Sequence, residues 1–532
     1  MKIVCVLFTS MLISLLFSFT ILPGSKAKIA AEMKHSMEAE LLNVWYPKDV
    51  DSLYGGFLSD FSYDFKPGAV QDKMIVTQAR HVWSNARAAE LYPEKKFYKE
   101  SARQGFYFLR DFFWDKKNGG FYTELTRSGK LKPSSLGEKI AYGNAFGIYA
   151  LAAYYRSSGD TAALNLAKKA FYWLEKNSHD PVRKGYYQHM QMDGTPVKRT
   201  ADIPSTAETG YKDQNSSIHL LEAFTELYNV WPHPLVAERL KEMLLLIRDT
   251  ITTKKGNLGL FFQPDWTPVS YRDSAYSVIM QHRNLDHVSF GHDVETAYLM
   301  LEASRTLGIK DESRTMEVSK KMIDQALRYG WDNKVGGFYD EGYYFKDIAN
   351  ITIIRDSKNW WAQAEGLNTL LMMSDYFPRD TMKYYQKFLI QWKYVQTYLI
   401  DHVHGDWYPG GLDKEPQQKT AAKGNVWKGT YHVLRCFINC IERLQPDTLA
   451  PAAPKNFTIK IAGDLLQMQW NKVTDNKELT AYIIYHNGIK IGLTPLLSYS
   501  LSLSDIKKGD SFFAEAVDLA GNKSGKSNPV QF

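Results

Sequence analysis

Three histidines stand near the starts of helix-like segments: His219 in "DQNSSIHLLEAFTEL", His292 in "SFGHDVETAYLML" and His432 in "NVWKGTYHVLRC". Two of them have a glutamate three residues on, Glu222 and Glu295, which puts acid and imidazole on one helix face. Imidazoles gain and lose protons near neutral pH, so such pairs suit general acid–base chemistry, with the carboxylate orienting the ring. His/Glu clusters on helices also ligate metals, but those sites usually gather four or more converging ligands. Arg80 would sit badly beside a dication. A single helical histidine is ordinarily a hydrogen-bonded structural residue; three at equivalent turns point to a shared site. Tyr142, Asn215 and Glu365 supply further polar groups. Trp361 and Trp427 stand among Asn, Lys and Gly, where an indole can pack on the apolar face of a pyranose instead of filling a core.

The segments that carry these residues recur. A glycine-aromatic phrase appears at Gly55, Gly119, Gly185, Gly259, Gly336 and Gly405, in steps of 64, 66, 74, 77 and 69 residues. A period of about seventy marks a repeat architecture. Between phrases lie two amphipathic segments, one rich in Ala, Gly and aromatics, the other charged on one stripe. Six such hairpins predict an all-α (α/α)6 barrel, with the phrases forming turns or small strands at one end. The first turns of the inner segments hold the polar and aromatic residues, so they gather at one mouth. The later turns, apolar in pattern, are expected to plug the other end.

The rest of the chain bounds the reading. The 532 residues carry a net charge of +7 without a basic block, which argues against nucleic acid as a partner. Residues 1–27 read as a signal peptide: Lys2, an apolar run from Ile3 to Leu22, then small residues. This predicts export, to a periplasm, with no stable membrane insertion after cleavage. The run is also long enough for an uncleaved anchor. Cys436 and Cys440 lie four apart on one helix, which makes neither a disulfide framework nor a metal site. The barrel is expected over residues 28–445, a Pro/Ala linker over 446–455 and an all-β sandwich over 456–532. The linker implies few contacts between the two domains. "LQMQW", "YIIYHNGIKIG" and "AEAVDLAGNKS" resemble a fibronectin type III domain, read as a spacer or as a module that contacts carbohydrate or another protein.

"GHDVETAYLMLEA", "NWWAQAEGLNTLL", "NSSIHLLEAFTELY" and "VWKGTYH" resemble the N-acylglucosamine 2-epimerase superfamily, most closely its cellobiose 2-epimerase branch, over roughly residues 30 to 445. The resemblance implies an acid/base pair at His292 and His432, with Arg80 near the reacting oxygens. It places Asn215 and His219 beside the substrate, and Trp361, Glu365 and Trp427 around the sugar subsites. Where the family often has a tryptophan this chain has Tyr298. The implied substrate is a reducing disaccharide of the cellobiose or mannobiose type, and the implied reaction inverts C2 through a cis-enediolate. In that scheme Arg80 and His219 donate to the developing oxyanion and Glu295 holds the His292 tautomer; no cofactor or metal is needed. Two alternatives remain at this stage: an (α/α)6 glycoside hydrolase using Glu295 and Glu365, and a sugar-binding protein without catalysis. Other activities of the same superfamily, N-acylglucosamine 2-epimerase or aldose–ketose isomerase, are also open.

Overall fold

The computed structural model describes residues 23–132, 138–309, 312–476 and 479–532. The apolar run to Leu22 lies outside them; Pro23 to Ala27 already form the first turns of a helix.

The first described element is α1 (Pro23–His35), which continues through a π-helical turn (Ser36–Leu42) into α2 (Asn43–Trp45). Helix pairs follow: α3 (Ile75–Leu91) with α4 (Lys96–Phe108), α5 (Ala141–Ser158) with α6 (Thr161–Asn177), and α7 (Gln214–Val230) with α8 (Pro234–Leu246). After an extra helix, α9 (Tyr276–Asp286), come α10 (Phe290–Thr306) with α11 (Ser313–Tyr329), α12 (Trp360–Tyr376) with α13 (Tyr384–Tyr398), and α14 (Tyr431–Leu444). The inner helices α3, α5, α7, α10, α12 and α14 each pack on the next, and α14 closes the ring on α3. The outer partner of α14 is α1, so the two ends of the helical region close the sixth hairpin together. Ile29, Ala30 and Met33 of α1 are buried in the barrel core.

Composition separates the layers. Fifteen residues of α5, "AYGNAFGIYALAAYY", are buried, as a helix enclosed on all sides requires. Outer α11 buries only one stripe.

The glycine-aromatic phrases form small antiparallel ladders at one end. β1 (Lys73–Met74) pairs with β2 (Glu124–Leu125), β3 (Lys139–Ile140) with β4 (His189–Met190), and β5 (Lys212–Asp213) with β6 (Phe261–Phe262). β7 (Val288–Ser289) pairs with β8 (Glu341–Tyr343), which also pairs with β9 (Thr352–Arg355). At Gly120, with φ +72°, a Cβ would stand 2.8 Å from the Trp173 ring, so the tight turn and the close approach both require glycine.

A buried ion pair fixes five of the six turns. Lys73, Lys139, Lys212, Lys358 and Lys423 bind Asp51, Asp115, Asp180, Asp332 and Asp401 at 2.7–3.0 Å. Each ammonium also binds the backbone carbonyl four residues after its aspartate. The fourth unit has Thr253 and Val288 at the corresponding positions and lacks both partners together.

The C-terminal region is a two-layer β structure. β10 (Thr458–Ala462), β11 (Leu465–Gln469) and β14 (Ser498–Ser502) form one sheet. β13 (Ile489–Thr494), β12 (Leu479–His486), β15 (Ser511–Asp518) and β16 (Val530–Gln531) form the other. Leu466, Met468, Trp470, Tyr482, Ile484 and Phe512 fill the space between them. The expectation of few interdomain contacts is corrected here. Ala481 and Ile483 of β12 and Leu493 of β13 belong to the barrel's own core. β12 is therefore buried on both faces, which is why "AYII" runs apolar without alternation.

Candidate active site

Counting from each helix start shows how the site is built. The sixth residues of α3, α5, α7, α10 and α12 are Arg80, Phe146, His219, Glu295 and Glu365, and Arg435 is the fifth of α14. These form one level inside the barrel, below His292 and His432, the third and second residues of α10 and α14. The structure thus brings the three histidines, Arg80 and both glutamates to one mouth.

Arg435 organises the level. Its Nη2 donates to Glu295 at 2.5 Å and Glu365 at 2.6 Å, and its Nη1 donates to Glu222 and to the Tyr431 hydroxyl. Glu365 also accepts from His432 Nδ1 at 2.7 Å. Glu222 accepts from His219 Nδ1 at 2.8 Å. All these groups are buried. Burial would push the Glu222 carboxyl up, but Arg435 and then His219 hold it at about 2. Burial does raise the Glu365 carboxyl, against the pull of Arg435.

Two expectations change. Glu295 does not hold His292; it binds Arg435 and lies 3.9 Å from His432 Nδ1. The His292 Nδ1 instead meets the Ser289 hydroxyl at 2.9 Å. Glu365, expected at a sugar subsite, is enclosed and serves His432. The three-residue spacing marks a contact in His219–Glu222 only, because the ring of His292 turns toward Trp361.

The Trp361 indole packs near both imidazoles, its ring centroid 4.8 Å from His292 and 5.8 Å from His432. Burial, then His219, His287 and His432, lowers His292 to about 3. Burial and then Arg80 push His432 well below the ordinary imidazole value. Both rings are therefore neutral at neutral pH.

Arg80 Nη2 donates to the Tyr142 hydroxyl at 3.1 Å and Nη1 to the Trp427 carbonyl at 3.4 Å, while its Nε has no protein partner. Its guanidinium lies over the Phe146 and Tyr431 rings. Asn215 is half-buried with its Oδ1 unpartnered, and Trp427 is 51% exposed at the rim. Trp83 stacks on Tyr149 inside the barrel.

Asp293 has a different job from its neighbour His292. Its Oδ1 accepts the Leu258 N–H at 2.9 Å, as Asn144 and Gln363 accept from Phe121 and Phe338. Each is the fourth residue of its helix and ties the aromatic phrase to it.

Among the described residues, Glu295, Glu365 and His432 place ligand atoms within 4.8 Å of one another, as a metal site would. The Arg435 guanidinium already occupies that chemistry. One of its nitrogens binds both carboxylates, and a cation there would have to displace it.

A family model for N-acylglucosamine 2-epimerase (GlcNAc 2-epimerase) matches residues 55–436. A cellobiose 2-epimerase of Bacteroides fragilis is 29% identical over 424 residues, covering 78% of this chain and 98% of that protein. The solved structure of a cellobiose 2-epimerase from Spirochaeta thermophila shares 26% identity at a TM-score of 0.67, covering 80% of this chain and 98% of its own. That from Bacillus thermoamylovorans shares the fold at 23% identity and a TM-score of 0.68, covering 78% of this chain and 100% of its own. With the helical barrel, the paired histidines and a family match spanning most of its length, the chain belongs to the N-acylglucosamine 2-epimerase family of carbohydrate epimerases and isomerases.

Proposed function

We propose that this enzyme interconverts glucose and mannose at the reducing end of a β-1,4-linked disaccharide by inverting C2. The observation that carries the reading is the pair of neutral imidazoles that both pack near Trp361, each fixed through Nδ1 by a different partner. In the open-chain sugar the C2 proton is acidic because it neighbours the aldehyde. His432 has its Nδ1–H held by the Glu365 carboxylate, which leaves Nε2 bare as a base. Ser289 can donate to His292 Nδ1, which leaves Nε2–H as an acid. One ring removes the C2 proton to give a cis-enediolate, and the other returns a proton to the opposite face. In the reverse direction the roles exchange: His432, protonated at Nε2 with its Nδ1–H still on Glu365, returns its proton, and the His292 Nε2 left bare by donation takes the C2 proton.

Arg80, with its free Nε, is the donor for the developing oxyanion. His219 is better placed to accept. In the tautomer whose Nδ1–H binds Glu222, Nε2 is bare and can accept from a sugar hydroxyl. The disaccharide assignment rests on the named relatives, all cellobiose 2-epimerases. Lys2 and the apolar run to Leu22 support a periplasmic location.

The hydrolase alternative needs two carboxylates flanking a glycosidic oxygen, roughly 5–9.5 Å apart. Glu295 and Glu365 instead converge on one guanidinium nitrogen. NMR of cellobiose and mannobiose incubated in D2O tests the reading. The expected product is the C2 epimer carrying deuterium at C2. Free monosaccharides, a ketose alone, or unchanged sugar would each refute it.

A further inference from the structure

The barrel is not plugged by its own later turns. Two turns beyond the catalytic level, about 10 Å along the axis, the thirteenth residues of α3, α7 and α10 are Arg87, Glu226 and Glu302. They line a cavity of about 410 Å³ with Arg156, Tyr149 and Tyr298, and its upper wall includes Arg435 and Glu222. Arg87 and Arg156 pair with Glu90, and Arg156 also with Glu226. The wall facing away from the catalytic level includes Ala520 and Gly521, from the turn between β15 and β16.

Five further residues seat the sandwich there. Ala481, Ile483 and Leu493 enter the barrel core. Lys490 Nζ donates to the Asn229 carbonyl at 2.8 Å, where a cation meets the negative end of α7. Gly159 caps α5 with φ +74°, and a Cβ there would stand 2.7 Å from Leu496 Cγ. The connecting segment is tied down as well: Asn522 and Asn476 both donate to Asp447 at 3.0 Å.

We propose that the C-terminal sandwich is the floor of the catalytic barrel, and that its seating keeps the Arg435–carboxylate network in the arrangement that holds His432. The path is short. Arg435 lines the cavity, its Nε has no protein partner, and its Nη2 binds the same Glu365 oxygen that holds His432 Nδ1. Lifting the floor admits water to that guanidinium and loosens the clamp. The role rests on the epimerase reading only for its turnover readout.

The test uses full-length protein carrying Leu493→Glu or Lys490→Ala, with Ile461→Glu on the exposed face of β10 as control. Three quantities are read: protease cleavage within residues 446–455, kcat against KM, and the titration midpoint of His432 in protein labelled with 15N-histidine. The charged groups facing His432 are Arg80, His219, Glu295, Glu365 and Arg435. Unseating should speed cleavage and lower kcat about tenfold, roughly 1.4 kcal/mol of transition-state stabilisation, with KM nearly unchanged. It should also raise the His432 midpoint toward its ordinary value, while the control behaves as the parent protein. If Leu493→Glu fails to fold, Lys490→Ala is read alone. Rapid cleavage with unchanged kcat and unchanged midpoint would overturn the proposal, as would a linker that stays resistant in every folded variant. The midpoint needs no turnover, so it decides the floor's role even if the disaccharide reaction fails.

Discussion

Arg435 lies three residues beyond His432, one turn deeper on α14, and three glutamates from three other helices close on it. Removing one partner of a buried charge cluster leaves the rest uncompensated. Glu365→Gln should lower kcat about a hundredfold with little change in KM, because the amide no longer stabilises the His432 imidazolium or fixes its tautomer. A rise in KM matched by an equal fall in kcat/KM, with kcat intact, would return Glu365 to a substrate subsite. Glu295→Gln removes an anion that favours protonated His432. The His432 midpoint should fall, and the acid limb of the pH–rate profile should move to lower pH; a limb that moves to higher pH would contradict the placement. The sequence exposes His219, His292 and His432 because they sit in first turns at repeat spacing. Arg435 escapes such a reading, since "HVLRC" looks like an ordinary helix interior and its partners are 70 to 213 residues away. The sequence reading pairs His292 with Glu295 by spacing alone, and the ring orientation gives its Nδ1 to Ser289 instead.

At the scale of elements, the five Lys–Asp pairs explain how short glycine turns hold their inner helices in register. Each ammonium ties an aspartate and a turn carbonyl to the segment that leads into an inner helix. Lys139→Met alone strands Asp115, which loses its buried ammonium, and should cost about 3 kcal/mol or more in denaturant unfolding. The fourth unit shows the way out, with Thr253 and Val288 replacing both partners. The double change Asp115→Thr with Lys139→Val should therefore cost less than Lys139→Met, and a strictly additive double variant would contradict the pairing. The repeat itself was legible in the glycine steps, and so were the helix pairs. The closure of the sixth pair by α1 was not, because a period read forward along the chain does not say that its last outer helix comes first.

At the scale of the molecule, the barrel is polar along its axis, and this gives its stability an unusual pH dependence. The later turns look apolar in sequence because Arg87, Glu226 and Glu302 are single charges among Ala, Leu and Tyr. Their convergence appears only when six helices are superposed. Among the described residues, none forms an ion pair or hydrogen bond with Glu302. Burial raises its carboxyl to about 7 from an ordinary value of 4.5, against the attraction of Arg435. Between these values the folded protein keeps a proton that the unfolded chain has released. Below pH 4.5 both states are protonated, so the group contributes its full stabilisation there, and that contribution is lost as pH rises through 7. The shift corresponds to at most about 3 kcal/mol. His292 works in the opposite direction, since its folded value of about 3 lies below its unfolded one of 6.5 and it stabilises the fold as pH rises through that window. A single stability curve therefore mixes the two. Comparing Glu302→Gln with the parent protein cancels the histidine contribution, because both proteins carry it. Against the parent, the variant should gain stability steadily from pH 5 to pH 8, by about 1–3 kcal/mol in denaturant unfolding. A difference that stays flat across that range would mean that Glu302 ionises normally and that water already reaches the space beneath Arg435.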